Sequence, residues 1–206
     1  LTDYGSTSFG LTADSSTIVT IASEQSSKIW IASPNEEEAR ARKLTNGKFD
    51  GQYGLDWTPD GRIVYGAKAG DNVDIWITNA DGTGQRELTS SEDSEYHGQV
   101  SPDGRYIVFS SQHPGDIVHI WRMDADGGNA KQLTQGKFED FTPSFSPDSK
   151  WVVFGSWRSG SGRMWKIPVD GGEPTQVTDL PFFAQAFLPE GKLMFGGYFD
   201  EQASPP

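Results

Sequence analysis

The 206-residue chain has no cysteine, which excludes a disulfide framework and any thiolate metal site. No apolar run approaches the roughly 18 residues that a membrane-spanning helix requires, so no membrane insertion by this segment is expected. No stretch of ten or more residues carries a 3.6-residue apolar period, which argues against amphipathic helices. Positive charge is also scarce. Seventeen Lys and Arg stand against 29 Asp and Glu, a net charge of −12. Such a surface repels phosphate backbones, so nucleic acid is excluded as a partner. Solubility is the general use of that charge.

The familiar catalytic motifs are missing too. Ser156 and Ser161 have glycine neighbours, but neither has the Gly-x-Ser-x-Gly spacing of a hydrolase nucleophile. Asn46-Gly47-Lys48-Phe49 and Gln135-Gly136-Lys137-Phe138 lack the earlier glycine of a phosphate-binding loop. There is no His-Glu-x-x-His and no protein-kinase signature. Asp124, Asp126 and Asn129 resemble a calcium loop only in composition, since the spacing and the closing Glu are wrong. His97, His113 and His119 are close in sequence, which does not bring side chains together in space. The sequence therefore nominates no catalytic residue, no metal site and no cofactor, and predicts a non-enzyme.

What is present is a repeat. Ser101-Pro102-Asp103-Gly104-Arg105-Tyr106-Ile107-Val108-Phe109 returns as Thr58-Pro59-Asp60-Gly61-Arg62-Ile63-Val64-Tyr65 and as Ser146-Pro147-Asp148-Ser149-Lys150-Trp151-Val152-Val153-Phe154. Worn copies hold Asp14 and Glu190. The acidic position thus falls at 14, 60, 103, 148 and 190. Trp30, Trp76, Trp121 and Trp165 keep the same step, as do Leu44-Thr45, Leu88-Thr89, Leu133-Thr134 and the variant Val177-Thr178. Three landmarks in one order at one period define a structural repeat.

Each unit reads as β-structure. Short runs of Val, Ile, Tyr, Phe and Trp suit a pleated surface. Pro-Asp-Gly presets one backbone angle, lets Asp bond its own backbone and supplies a glycine for a positive one. Asn79–Gly84 and Asp124–Gly128 read as hairpin turns. Glu36–Ala41 has helical composition but occupies a hairpin slot, so an enlarged loop is expected there. The second unit offers strands near 53–58, 62–67, 73–79 and 85–89. Four antiparallel strands in each unit of roughly 44 residues, repeated, predict a β-propeller. The Trp rings are expected to fill the wedge between neighbouring sheets. Leu11, Trp57, Val100, Phe145 and Phe187 are expected as core on the inner strands.

The wording of the repeat resembles a known family. Val100–Ser111 (VSPDGRYIVFSS), His119–Thr134 (HIWRMDADGGNAKQLT) and Phe145–Ser156 (FSPDSKWVVFGS) are similar to the WD-repeat-like propeller repeats of the TolB C-terminal domain. They also resemble propellers attached to bacterial serine/threonine kinases and to prolyl-oligopeptidase-type enzymes. Met164–Asp179 and Tyr198–Pro206 look closest to the kinase-linked group. The resemblance covers essentially the whole chain. It implies a propeller fold and hints at an extracytoplasmic, periplasmic-type location. Function does not follow from fold alone, because propellers host unrelated activities.

The fold expectation is therefore all-β, a propeller of four-stranded antiparallel blades. Four complete repeats, at about 7–45, 53–89, 96–134 and 142–178, are followed by a partial fifth at 183–199. Family propellers of this type usually have six or more blades, so the chain is expected to be part of a larger ring.

The usual propeller site is the channel mouth, where inner strands and their approach loops converge. The positions just before the inner-strand core carry Tyr53, Asp56, Glu95, His97, Gln99, Asp140, Ser144 and Gln185, with Gln52, Tyr96, Phe141 and Phe183 beside them. Aromatic surfaces next to hydrogen-bond acceptors suit a peptide or small ligand. Trp157-Arg158, between the second and third strands of its blade, is a candidate outer-rim contact. Two function classes follow. One is a non-catalytic binding or scaffold module with a protein or peptide partner, as in TolB-like or kinase-linked sensor propellers. The alternative is an accessory propeller that gates substrate for a prolyl-oligopeptidase-type hydrolase. The remaining blades, or a fused kinase or hydrolase domain, would be its further partners.

Overall fold

A computed structural model describes residues 9–11, 18–23, 26–33, 41–112, 115, 117–179, 184–187 and 192–196. Four antiparallel four-stranded sheets follow one another along the chain. The first contains β1 (Phe9–Leu11), β2 (Ile18–Ser23), β3 (Ser27–Ala32) and β4 (Arg42–Lys43). The second contains β5 (Leu55–Trp57), β6 (Arg62–Ala69), β7 (Asn72–Asn79) and β8 (Arg86–Glu87). The third has β9 (Glu95–Val100), β10 (Tyr106–Ser111), β11 (His119–Asp124) and β12 (Lys131–Gln132). The fourth has β13 (Asp140–Phe145), β14 (Trp151–Ser156), β15 (Arg163–Pro168) and β16 (Thr175–Gln176). A two-stranded sheet pairs β17 (Ala184–Phe187) with β18 (Leu193–Gly196). Each sheet is a simple meander, and the first strands of successive sheets pack against one another. This is the blade architecture that the repeat predicts.

The repeated residues fold this way for local reasons. Ser101 Oγ donates to Asp103 Oδ1 at 2.6 Å and accepts from the amides of Arg105 and Tyr106. Ser146 forms the same turn with Asp148 and Trp151 N, and Thr58 forms it with Asp60 and Arg62 N. The acid is thus a turn former, and its hydroxyl partners are buried. The Leu-Thr pairs close the outer edge. Leu44, Leu88 and Leu133 donate their amides to the carbonyls of Ile29, Ile75 and Ile120. In return, the amides of those three Ile residues donate to the hydroxyls of Thr45, Thr89 and Thr134. The outer strands are shorter than the sequence predicts because a side chain takes over the pairing. Leu88 and Thr89, for instance, both direct their amides to the Ile75 carbonyl.

The core lies between sheets. Ile63 and Tyr65 pack toward the first sheet with Ile29 and Leu44, while Val64 packs toward the third with Val100 and Phe109. Ile107 and Phe109 face the second sheet, and Val108 faces the fourth. Both faces of the middle strands are covered, so alternating side chains serve two interfaces. The Trp expectation needs refining. Trp30, Trp76, Trp121 and Trp165 are half-buried, and the fully buried wedge residues are their neighbours Ile29, Ile75, Ile120 and Met164. Trp57 is likewise half-buried, whereas Val100 and Phe145 are core. Leu11 and Phe187 lie on strands whose side chains are not described, and the loop expected at Glu36–Ala41 falls outside the described residues up to position 40.

Candidate functional site

The inner strands share an irregularity near their starts. His97 and Thr142 have φ of 56° and 47°, and Gly54 in the second sheet has 128°. The three are equivalent in the repeat. The pairing of β9 with β10 and of β13 with β14 shifts register at this point, as in a β-bulge. Gly54 has a second reason to lack a side chain. A Cβ there would lie 2.9 Å from the His97 Cα. A bulge re-aims the side chains around it, and non-glycine residues with positive φ gather at functional positions.

An aromatic ring precedes each of these residues: Tyr53, Tyr96 and Phe141. The Tyr53 and Tyr96 rings lie 5.6 Å apart at 58°, and the exposed His97 ring lies 6.3 Å from Tyr96. The backbone locks this group, because the His97 amide donates to the Tyr53 carbonyl at 2.6 Å. Phe141 instead meets Trp157, 6.1 Å away and 48% exposed. The structure therefore assembles Tyr53, Tyr96 and His97 on one edge and places Phe141 with Trp157 on the next blade.

The carboxylates have other surroundings. Asp56 Oδ2 accepts from the Val100 amide at 2.7 Å, which ties two inner strands together, and burial pushes its carboxyl up to about 6 against these hydrogen bonds. Asp140 is wholly buried at the junction of the third and fourth sheets. Its two oxygens lie 2.7 Å from Arg158 Nη2, and His119 Nδ1 is 3.6 Å away. Arg158 is thus half-buried and turned onto Asp140 rather than free at the outer rim. Glu95 is equally hidden, at 2% exposure, between the second and third sheets. Gln99 and Ser144 are half-buried on β9 and β13. Gln185 is placed on β17 by its backbone alone, and Phe183 lies outside the described residues. Of the eight nominated positions, Tyr53 and His97 join Tyr96 in an aromatic rim, Asp56, Glu95 and Asp140 are carboxylates at blade junctions, and Gln99 and Ser144 belong to neither group. The sequence offered no sign of Arg158 as partner of Asp140, because the two stand 18 residues apart.

Residues 97–195 match the model of the TolB beta propeller domain. No curated protein matches the chain. Among solved structures, the chain is similar to a TolB from Agrobacterium tumefaciens with a TM-score of 0.78 and 24% identity, covering 93% of this chain and 74% of that one. TolB from Acinetobacter baumannii gives 0.75 and 21%, over 91% of this chain and 47% of that one. A chain of a nidogen/laminin complex gives 0.75 and 14%, over 94% and 72%. At these identities the likeness concerns the fold. The chain is a β-propeller of four-stranded blades, and its repeat is TolB-like.

Proposed function

We propose that the chain is a non-catalytic binding module that takes a protein or peptide partner at the rim formed by Tyr53, Tyr96 and His97. The carrying observation is the Tyr53–Tyr96 pair, held by a backbone bond between blades and set beside a bulge in the inner strand. Stiff aromatic rings supply contact area at low entropic cost, and the neighbouring tyrosine hydroxyls and the imidazole supply polar contacts. The TolB and nidogen/laminin likenesses support a module of this class, and sensor propellers linked to kinases are its expected setting. No observation favours substrate gating for a hydrolase.

Selection of peptides from a displayed library on the purified chain tests this reading. Selected peptides should lose at least tenfold in affinity for Tyr96→Ala and Tyr53→Ala, while far-UV spectra of both variants stay native. Tight peptides that are indifferent to both substitutions would place the binding surface elsewhere and defeat the proposal.

A further inference from the structure

Two aromatic notches lie at the same end of neighbouring blades. Tyr96 stands opposite Ser110 and Phe141 opposite Gly155 in their ladders, at one level of the fold, and β13 packs beside β9. The first notch is the Tyr53–Tyr96 pair, 5.6 Å between centroids and tilted by 58°, across the second and third blades. The second is Phe141 with Trp157, at 6.1 Å and 40°, within the fourth blade. The Trp157 amide donates to the Glu139 carbonyl at 3.3 Å, and a Cβ at Gly162 would meet the indole at 3.4 Å. Trp157 is thus fixed on the surface at 48% exposure, with Phe138 at 37% on the loop that leads into β13. Large apolar groups held at a surface in this way mark contact sites.

The spacing limits what the notches take. A flat ring or a cation lodged between two faces needs about 7 Å, twice the van der Waals separation of roughly 3.5 Å. Both pairs are closer than that, so a ligand lies across the ring edges. Two notches on neighbouring blades suit an extended ligand that repeats its own contacts. Tyr53 and Tyr96 carry hydroxyls that can donate, and the Trp157 indole N–H only donates, so the matching ligand groups are acceptors. A polyproline II segment meets each condition. It is stiff and extended, it lays pyrrolidine rings on aromatic surfaces, and it offers carbonyls without N–H groups.

Charge selects the flanks of such a segment. Asn72 Nδ2 donates to the Ser91 and Asp93 carbonyls at 2.8 and 3.1 Å, which joins the turn between β6 and β7 to the loop that leads to Tyr96. The exposed Asp71 and Glu92 on these two segments outnumber the exposed Lys68, and the whole chain carries −12. Basic residues beside the prolines complement this field.

We infer that the aromatic end of the second to fourth blades binds a proline-rich segment of a partner protein, in polyproline II form and flanked by basic residues. Tyr53, Tyr96 and His97 take one turn of the segment, and Trp157 with Phe141 takes a later one. The inference rests on the rim reading above, gives that rim its ligand class and adds Trp157 as a second anchor.

Calorimetry on the full chain tests this with three capped peptides. The first is a run of eight L-prolines between two arginines. The second alternates L- and D-proline, which prevents the polyproline II helix, and the third replaces the prolines by Gly-Ser repeats, which keep only the charge. Saturable binding of the all-L peptide alone is expected. Tyr96→Ala and Trp157→Ala should each weaken it by about tenfold, while Trp157→Phe keeps a ring and retains most of it. On the unsubstituted chain the all-L peptide should also shift the Trp157 indole N–H resonance, assigned through Trp157→Phe, so the test stands even where an alanine variant fails to fold. The inference is overturned if the all-L peptide does not bind, if either control binds as tightly, or if the Trp157 resonance stays unmoved. Library peptides that lack proline yet depend on Tyr53 and Tyr96 would overturn it too, while leaving the rim reading intact.

Discussion

Arg158 Nη2 stands 2.7 Å from each carboxylate oxygen of Asp140, a residue with no exposed surface. Removing one partner of such a pair strands the other charge in a low-dielectric setting, at about 3–5 kcal/mol. Arg158→Ala should lower the unfolding free energy obtained from urea titration by an amount of that order, and Asp140→Asn in the same chain should restore part of it. A loss well under about 1 kcal/mol would mean that solvent replaces the guanidinium.

Gly54 and Gly61 offer a matched pair of glycine substitutions. Both have positive φ, but a Cβ at Gly61 meets nothing within 4 Å, whereas at Gly54 it runs into the His97 backbone. Gly61→Ala should cost only the backbone strain, on the order of 1 kcal/mol. Gly54→Ala should cost clearly more and disturb the Tyr53–Tyr96 contact. Thermal melts of the two variants give the comparison directly.

Thr134 is buried, and its hydroxyl accepts the Ile120 amide at 2.9 Å. Thr134→Val keeps the shape and removes the acceptor, leaving a buried N–H unpaired at about 1–3 kcal/mol. Amide exchange at Ile120 should accelerate in this variant, and unchanged protection would show that the outer strand pairs without the hydroxyl.

Asp56 and Asp74 give the fold a pH dependence. Each has a folded-state value above 3.8, about 6 for Asp56 and about 7 for Asp74, so the folded chain holds more protons than the unfolded one in between. Their contribution to stability therefore falls as pH rises from about 4 to about 7 and is flat outside that window. The groups facing Asp74 in this titration are Glu95 and Glu87. Asp56→Asn and Asp74→Asn should each flatten the slope of unfolding free energy against pH. An unaltered slope in both would assign the dependence to other groups.

The blade was legible because its signals are local. Ser101, Asp103 and Gly104 form one turn within four residues, and Leu133-Thr134 closes on Ile120 inside the same unit. The junction acids were visible only as acids. Glu95 meets Asp74 from the preceding blade, and Asp140 meets Arg158 across its own inner strand, so neither spacing matches a helix or strand period. Tyr53 and Tyr96 were read as candidates, but their contact depends on the bulge at His97, and a positive φ at a histidine leaves no mark in composition.

One further contact repeats around the fold. Arg42 donates to the carbonyls of Ala80 and Asp81, Arg86 to that of Asp126, and Lys131 to that of Asp170. In every case the cation leaves the last strand of one blade and caps the hairpin of the blade after it. The array therefore has a direction, since each of the first three blades grips its successor through a basic residue on its last strand. Shuffling whole repeats keeps this joint only if any replacement carries a basic residue at the donor strand, because the receiving turn offers backbone carbonyls and accepts any sequence that adopts it. Transplanted blades are interchangeable as receivers and selective as donors.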